Sequence, residues 1–165
     1  MLLSLSRLRI PIGLLLLGLV LPIAGWAQNF QLGFGPGVYD AFDDGRVAGG
    51  FVEARWPRLF GWGGPWLSAE VNADEAVYLS GGILGDFALG ERWHFTPSFG
   101  GGYYRQGDGK DLGNDLEFRT TLELSFSLGG GQRLGVSVAH ISNASLSDKN
   151  PGMEVVKLIY LLPLD

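Results

Sequence analysis

Residues 116–128 read LEFRTTLELSFSL. Leu116, Phe118, Thr120, Leu122, Leu124, Phe126 and Leu128 occupy one parity, and Glu117, Arg119, Thr121, Glu123, Ser125 and Ser127 the other. A period of two held this long predicts a β-strand with one apolar and one polar face. In a soluble sandwich the apolar face would be the core. In a membrane barrel it would meet lipid, and the polar face would fill the interior.

Working outward, eight segments of this kind can be laid out, at about 30–40, 47–56, 65–74, 76–88, 93–106, 116–128, 132–144 and 154–164. Each is close to the roughly 9–11 residues that a tilted strand needs to cross a bilayer. Short connections such as 89–92 and 129–132 alternate with long polar ones at 106–115 and 145–153. Short turns on one side and long loops on the other are the habit of outer-membrane barrels. The expected fold is therefore all-β, an eight-stranded antiparallel transmembrane β-barrel of the bacterial outer membrane. One connection, PRLFGWGG at 57–64, is long and apolar where a short periplasmic turn is expected. Trp56, Trp62 and Trp66 around it are expected in an interfacial aromatic belt. The polar faces place Glu53, Arg55, Glu70, Asn72, Glu117, Arg119, Glu123 and Lys157 inside, as a packed and paired interior with no pore.

Composition agrees with export to a membrane. Arg7 and Arg9 precede an apolar run from Ile10 to Val20, and Gly25-Trp26-Ala27 supplies a small-residue end. Residues 1–27 are thus expected to be a signal peptide cleaved before Gln28, with an uncleaved anchor as the rival, and 28–165 to be the barrel. Without Arg7 and Arg9, 10 of the 12 basic residues remain against 17 acidic ones. A net charge of −7 speaks against nucleic acid as a partner, because phosphate binding needs a basic footprint. The absence of cysteine excludes disulfides and zinc-thiolate sites. The 27 glycines and 12% aromatic residues, without a collagen period, suit a barrel.

The chemistry is concentrated in AHISNASLSDKNPGMEV, residues 139–155. Leu134, Val136, Val138, His140 and Ser142 share a parity, so the histidine and serine continue an outward apolar row. Glu154 shares the outward parity of Val156, Leu158, Tyr160 and Leu162 on the next segment. The three polar side chains would gather at the outer-leaflet end of one hairpin, where a polar group facing lipid costs little. A serine beside a histidine, with a carboxylate on the paired strand, is the arrangement of a nucleophile, its base and the group that orients the base. Inert interfacial residues at a hairpin tip would have the same spacing, and on spacing alone both readings stand. Asn143 has the opposite parity, which points to structural hydrogen bonding inside. His94, the other histidine, lies beside a short periplasmic turn and is expected to be interfacial, with no partners spaced for a metal site.

His140, Ser142, Asn143 and Ala144, followed at a fixed distance by Asn150, Gly152 and Glu154, resemble the signature of the lipid A 3-O-deacylase (PagL) family of small outer-membrane barrels. The resemblance implies a catalytic triad of Ser142, His140 and Glu154. It also implies an oxyanion hole made by the Asn150 side chain and the backbone N–H of Ser145. The family commonly has glycine at the position of Ser145. The implied reaction is hydrolysis of the ester-linked 3-hydroxyacyl chain at the 3-position of lipid A, with no metal or cofactor. Lipid A or whole lipopolysaccharide would be the substrate and outer-membrane lipid the surroundings, and a homo-oligomer is compatible with this reading. A structural or adhesion barrel, and an acyltransferase or phospholipase of similar architecture, are the alternatives.

Overall fold

In a computed structural model of the chain, residues 30–164 are described, and the expected signal peptide at 1–27 lies outside them. The strands are β1 (Gln31–Tyr39), β2 (Val47–Arg55), β3 (Gly63–Asn72), β4 (Val77–Gly85), β5 (Phe87–Leu89), β6 (Trp93–Arg105), β7 (Leu116–Gly129), β8 (Gln132–Ser142) and β9 (Met153–Pro163). Apart from β4 and β5, consecutive strands pair antiparallel, β1 pairs with β9, and β4 pairs with β6 to close the ring. β4 and β5 both pair with β6, so together they form one stave, interrupted at Asp86. The barrel therefore has eight staves and no open edge. Closure gives backbone groups in the wall an inter-strand partner, which hydrocarbon surroundings require.

The alternation read at 116–128 holds in the wall. Along β7 the polar members Glu117, Arg119, Thr121, Glu123 and Ser125 are buried, and Leu116, Leu122 and Leu124 are exposed. The same outward apolar band continues in Phe34, Leu67, Ile83, Phe99, Val136 and Leu158. Such a belt of large exposed apolar side chains on every stave is that of a membrane-spanning barrel.

The interior is filled in three levels. At the end of the barrel that holds the chain termini, Asp86 accepts two hydrogen bonds from Arg133, at 2.7 and 3.1 Å, and lies 3.2 Å from His94 Nδ1. In the middle Arg119 binds Glu53 at 2.7 Å and also Glu70, Arg55 binds Glu123 and Glu53, and Lys157 reaches Glu70 at 2.6 Å. The outer end is apolar, with Tyr78, Tyr104, Leu112, Ile141 and Met153 in one cluster. Leu112 comes from the β6–β7 loop and plugs the mouth. The paired interior was expected; this apolar cap was not, because a loop residue has no strand parity to reveal it. Glu117 also departs from expectation, since neither carboxylate oxygen has a hydrogen-bond partner among the described residues.

Two aromatic and imidazole placements differ from expectation for one reason, parity. Trp66 shares its face with Ser68 and Glu70, so it is fully buried, with the Arg119 guanidinium 4.0 Å above its ring. Gly100 on β6 leaves room for it, since a Cβ there would lie 2.7 Å from the indole. Of the three tryptophans expected in the belt, Trp62, with Phe60 beside it, is exposed; Trp56 is half-buried and packs on Phe30. His94 alternates with the exposed Trp93 and so faces inward to Asp86 rather than the interface. The 57–64 connection is a turn over 56–62 before β3 begins.

The four outward connections are fastened to one another. Lys110 binds Asp40 and Asp43 across loops, Lys149 binds Asp111, and Asp108 N–H donates to Asp74 O. The buried ion network is the costlier element to disturb. Replacing Arg119 with Met takes one partner from Glu53, leaving Arg55, and one from Glu70, leaving Lys157. The expected loss is about 3–5 kcal/mol of barrel stability. Urea unfolding of the barrel refolded into lipid vesicles measures it, and an unchanged midpoint would contradict the role given to Arg119.

Candidate active site

His140 and Glu154 are cross-strand partners in the β8–β9 register. Both side chains face outward, and His140 Nδ1 lies 3.0 Å from Glu154 Oε1. Directly opposed residues in an antiparallel pair bring their Cβ atoms to about 5 Å, which sets this contact without help from any loop. The histidine side chain is 54% exposed and the glutamate 33%. An ionised carboxylate can only accept, so the hydrogen bond assigns the proton to Nδ1 and the lone pair to Nε2. That is the tautomer a general base needs on its far nitrogen.

Ser142 is the last residue of β8, two beyond His140 on the same outward face and half-buried. Its strand partner on the other side is Phe118. Among the described residues no hydrogen bond joins its hydroxyl to the imidazole. Two residues along a strand span nearly 7 Å, so the side chains must lean together to touch. Contacts of this kind are commonly loose before substrate arrives and tighten in its complex.

The loop over 143–152 is built around Asn143, which is fully buried. Its Nδ2 lies within 2.8 Å of Leu112 O and Lys149 O and 3.0 Å of Ser147 Oγ. The inward structural role read from parity is what the side chain performs, although it ties two loops together rather than fixing a strand. Ala144 and Ser145 follow with φ of 52° and 65°, left-handed values rare outside glycine. A glycine there would be unstrained, so Ser145 is a tolerated departure rather than a broken turn. The Ser145 N–H makes no hydrogen bond among the described residues. Asn150 Oδ1 accepts from Asn143 N–H at 3.1 Å, which orients the amide and leaves Nδ2 free to donate.

Gly152 was legible only as part of a pattern, and the structure gives its physical role. Its φ is +70°, and a Cβ on it would come 2.8 Å from His140 Cε1 and 3.5 Å from Nε2. The imidazole thus lies against bare backbone, with Nδ1 held by Glu154. The signal that would have located it is the pair of constraints at one residue, a left-handed turn and a ring's width of free space.

Asp40 and Asp43, in the β1–β2 loop, each bring a carboxylate oxygen within 4.8 Å of one on Glu154. Three carboxylates so close are also the raw material of a cation site, but Lys110 already bridges two of them, at 2.6 and 2.9 Å.

The chain matches the family described as Lipid A 3-O-deacylase (PagL) over residues 12–163. It is 30% identical over 73 residues to the lipid A deacylase PagL of Bordetella bronchiseptica, covering 43% of this chain and 41% of that protein. It is 37% identical over 60 residues to the lipid A deacylase PagL of Pseudomonas aeruginosa, covering 36% of this chain and 34% of that one. The chain thus matches well under half the length of these two curated relatives. In fold it resembles the crystal structure of the outer membrane enzyme PagL, with a TM-score of 0.69 and 20% identity over 81% of this chain and 99% of that one. The outer membrane protein Ail of Yersinia pestis shares the architecture more distantly, with a TM-score of 0.51 at 14% identity over 81% of this chain and 99% of that one. With the match running through every strand of the barrel and through the 140–154 hairpin, this chain belongs to the lipid A 3-O-deacylase (PagL) family.

Proposed function

We propose that this protein is an esterase of the bacterial outer membrane that removes the 3-O-linked 3-hydroxyacyl chain from lipid A. The observation that carries the reading is the His140–Glu154 hydrogen bond of 3.0 Å on the lipid-facing side of the barrel, with Ser142 next on the same face. A pair of ionisable side chains is out of place on a lipid face unless it has a use there. A substrate that is itself a lipid of the outer leaflet supplies that use. Its ester linkages lie near the headgroup boundary, where a polar group on the outer face of a barrel costs little.

In this mechanism Ser142 Oγ attacks the ester carbonyl while His140 Nε2 takes the hydroxyl proton. Glu154 holds the Nδ1–H and stabilises the imidazolium. The tetrahedral oxyanion is stabilised by Asn150 Nδ2 and the Ser145 N–H. Collapse breaks the bond to the glucosamine oxygen, which leaves with the proton from His140. Water then gives its proton to His140 and attacks the acyl-serine carbonyl. The products are a free 3-hydroxy fatty acid and the regenerated serine. Each step uses groups of this chain and water.

Mass spectrometry of lipid A from cells expressing the chain is expected to show loss of one 3-hydroxyacyl group. Cells expressing Ser142→Ala, with the barrel folded in the outer membrane, are expected to keep it. Unchanged lipid A with the native chain refutes the substrate, and loss with the variant refutes the nucleophile. Gly152→Ala tests the fit of the imidazole. A methyl group there displaces the ring by part of an ångström or more, and the expected loss of kcat/KM is about 100-fold with the barrel still folded. Near-native turnover by that variant would show that the ring position is not critical.

A further inference from the structure

Glu154 is not held by His140 alone. The chain leaves β1 at Tyr39, opposite Val155, and two residues on the Ala41 N–H donates to Glu154 O at 2.9 Å. Asp40 lies between them with φ of 54°, a strained backbone for a residue other than glycine. That conformation turns its carboxylate onto Lys110 Nζ, 2.6 Å away, and Asp43 meets the same ammonium at 2.9 Å. Lys110 arrives from the β6–β7 loop, where the buried Tyr104 hydroxyl fixes it by donating to Lys110 O at 2.9 Å. Three carboxylates, of Asp40, Asp43 and Glu154, thus sit within 4.8 Å of one another with a single ammonium bridging two of them.

We propose that Lys110, clamped by Asp40 and Asp43, is a positioning residue that offsets the charge behind Glu154, and so sets how strongly Glu154 and its neighbours hold a proton on His140. The proposal rests on the assignment of His140, Ser142 and Glu154 as the catalytic groups. The charges facing Glu154 are His140 from β8, Asp40 and Asp43 from the β1–β2 loop and, through them, Lys110 from the β6–β7 loop. Asp44 and Arg46 in the first loop carry opposite charges, and Lys149 is paired with Asp111.

The electrostatics have a definite sign. The Lys110 hydrogen bond holds the Asp43 carboxyl below the usual carboxylate range. Burial works against the Lys110 charge, but its bonds to Asp40 and Asp43 outweigh this and hold it above the ordinary lysine value. A depressed carboxylate contributes while pH stays above its unfolded value and is lost as pH falls through the folded one. A raised lysine contributes below its unfolded value and is lost as pH rises through the folded one. Asp43 and Lys110 therefore both keep their charge between about pH 5 and 9, across the range where a histidine titrates. Removing Lys110 leaves three unopposed negative charges, which stabilise the imidazolium. A base that keeps its proton cannot accept one from serine, so the acid side of the activity profile moves to higher pH. Removing the Asp43 charge does the opposite.

The test uses the full barrel labelled at its histidines, of which there are two. His140→Gln assigns the resonances. NMR titration then follows His140 in the native chain and in Lys110→Met, Lys110→Arg and Asp43→Asn. The His140 midpoint is expected to rise by about 0.5–1 pH unit in Lys110→Met, less than a buried pair would give because the loops are solvated. It is expected to fall in Asp43→Asn and to stay within a few tenths of a unit in Lys110→Arg. The acid limb of kcat/KM should follow, so that Lys110→Met loses roughly three- to tenfold on that limb and little above it. Asp43 is on the loop surface, so its variant carries the test if Lys110→Met fails to fold. Identical His140 midpoints in the folded variants would overturn the proposal, as would a uniform loss of rate with unmoved midpoints. If the native chain releases no 3-hydroxy acid at any pH, the deacylase reading fails instead, and the titration still decides whether the clamp acts on His140.

Discussion

Arg119 places a full positive charge at the centre of a space without bulk water, and the neighbouring staves are arranged to answer it. Glu53 from β2 and Glu70 from β3 bind its guanidinium, and Trp66 lies flat beneath it. Those two acids are then shared with Arg55 and Lys157, and Arg55 reaches on to Glu123. A buried charge without a partner is costly, and the only route to a partner here is across the barrel. The network therefore links β2, β3, β7 and β9, which hydrogen bonding within the wall connects only around the circumference. It fixes where β7 stands relative to β9. β8, lying between them, carries His140 on a wall braced from within.

An interior bound by ion pairs frees the exterior for lipid and for the proposed chemistry. The apolar belt has no reason to include a histidine and a glutamate, and β8 and β9 include one each, at directly opposed positions. Their contact comes from strand register, the most rigid relation two residues can have in a sheet. The loop after β8 supplies what strands cannot. Asn143, pulled inward onto Leu112 O and Lys149 O, forces the backbone at Ala144 and Ser145 into left-handed conformations and leaves the Ser145 N–H open to the outside. The strained residues are thus held by a buried amide rather than by their own preferences.

How much of this could be read from the sequence follows from what a period of two can encode. Parity separated lumen from lipid along 116–128 and put Arg119 and Glu123 inside, His140 and Ser142 outside. It also held the information that Trp66 and His94 face inward, which composition arguments about aromatic belts and interfacial histidines obscured. The break at Asp86 was not visible, because it is made by a bidentate arginine arriving from β8 and not by a local turn residue. Loop contacts were out of reach altogether. Lys110 is 30 residues or more from every group it serves, in a segment with no periodicity, and only the closed ring brings it to Asp40 and Asp43. For the hairpin, spacing gave proximity but not function, and the roles proposed for its residues come from the resemblance of a short motif.

The outer loops connect these two halves of the design. Leu112 caps the apolar end of the interior, and its carbonyl is the acceptor for Asn143. Two residues earlier, the Lys110 ammonium lies between Asp40 and Asp43 behind Glu154. One short stretch of the β6–β7 loop therefore touches the core, the loop proposed to bind the oxyanion, and the charge environment of the proposed triad acid. A loop in that position cannot vary as freely as an exposed loop ordinarily does. Loosening its hold on the interior would disturb the backbone donor and the carboxylate together, although neither belongs to it. The site is in this sense a property of the closed barrel mouth, and not of the 139–155 hairpin that displays it.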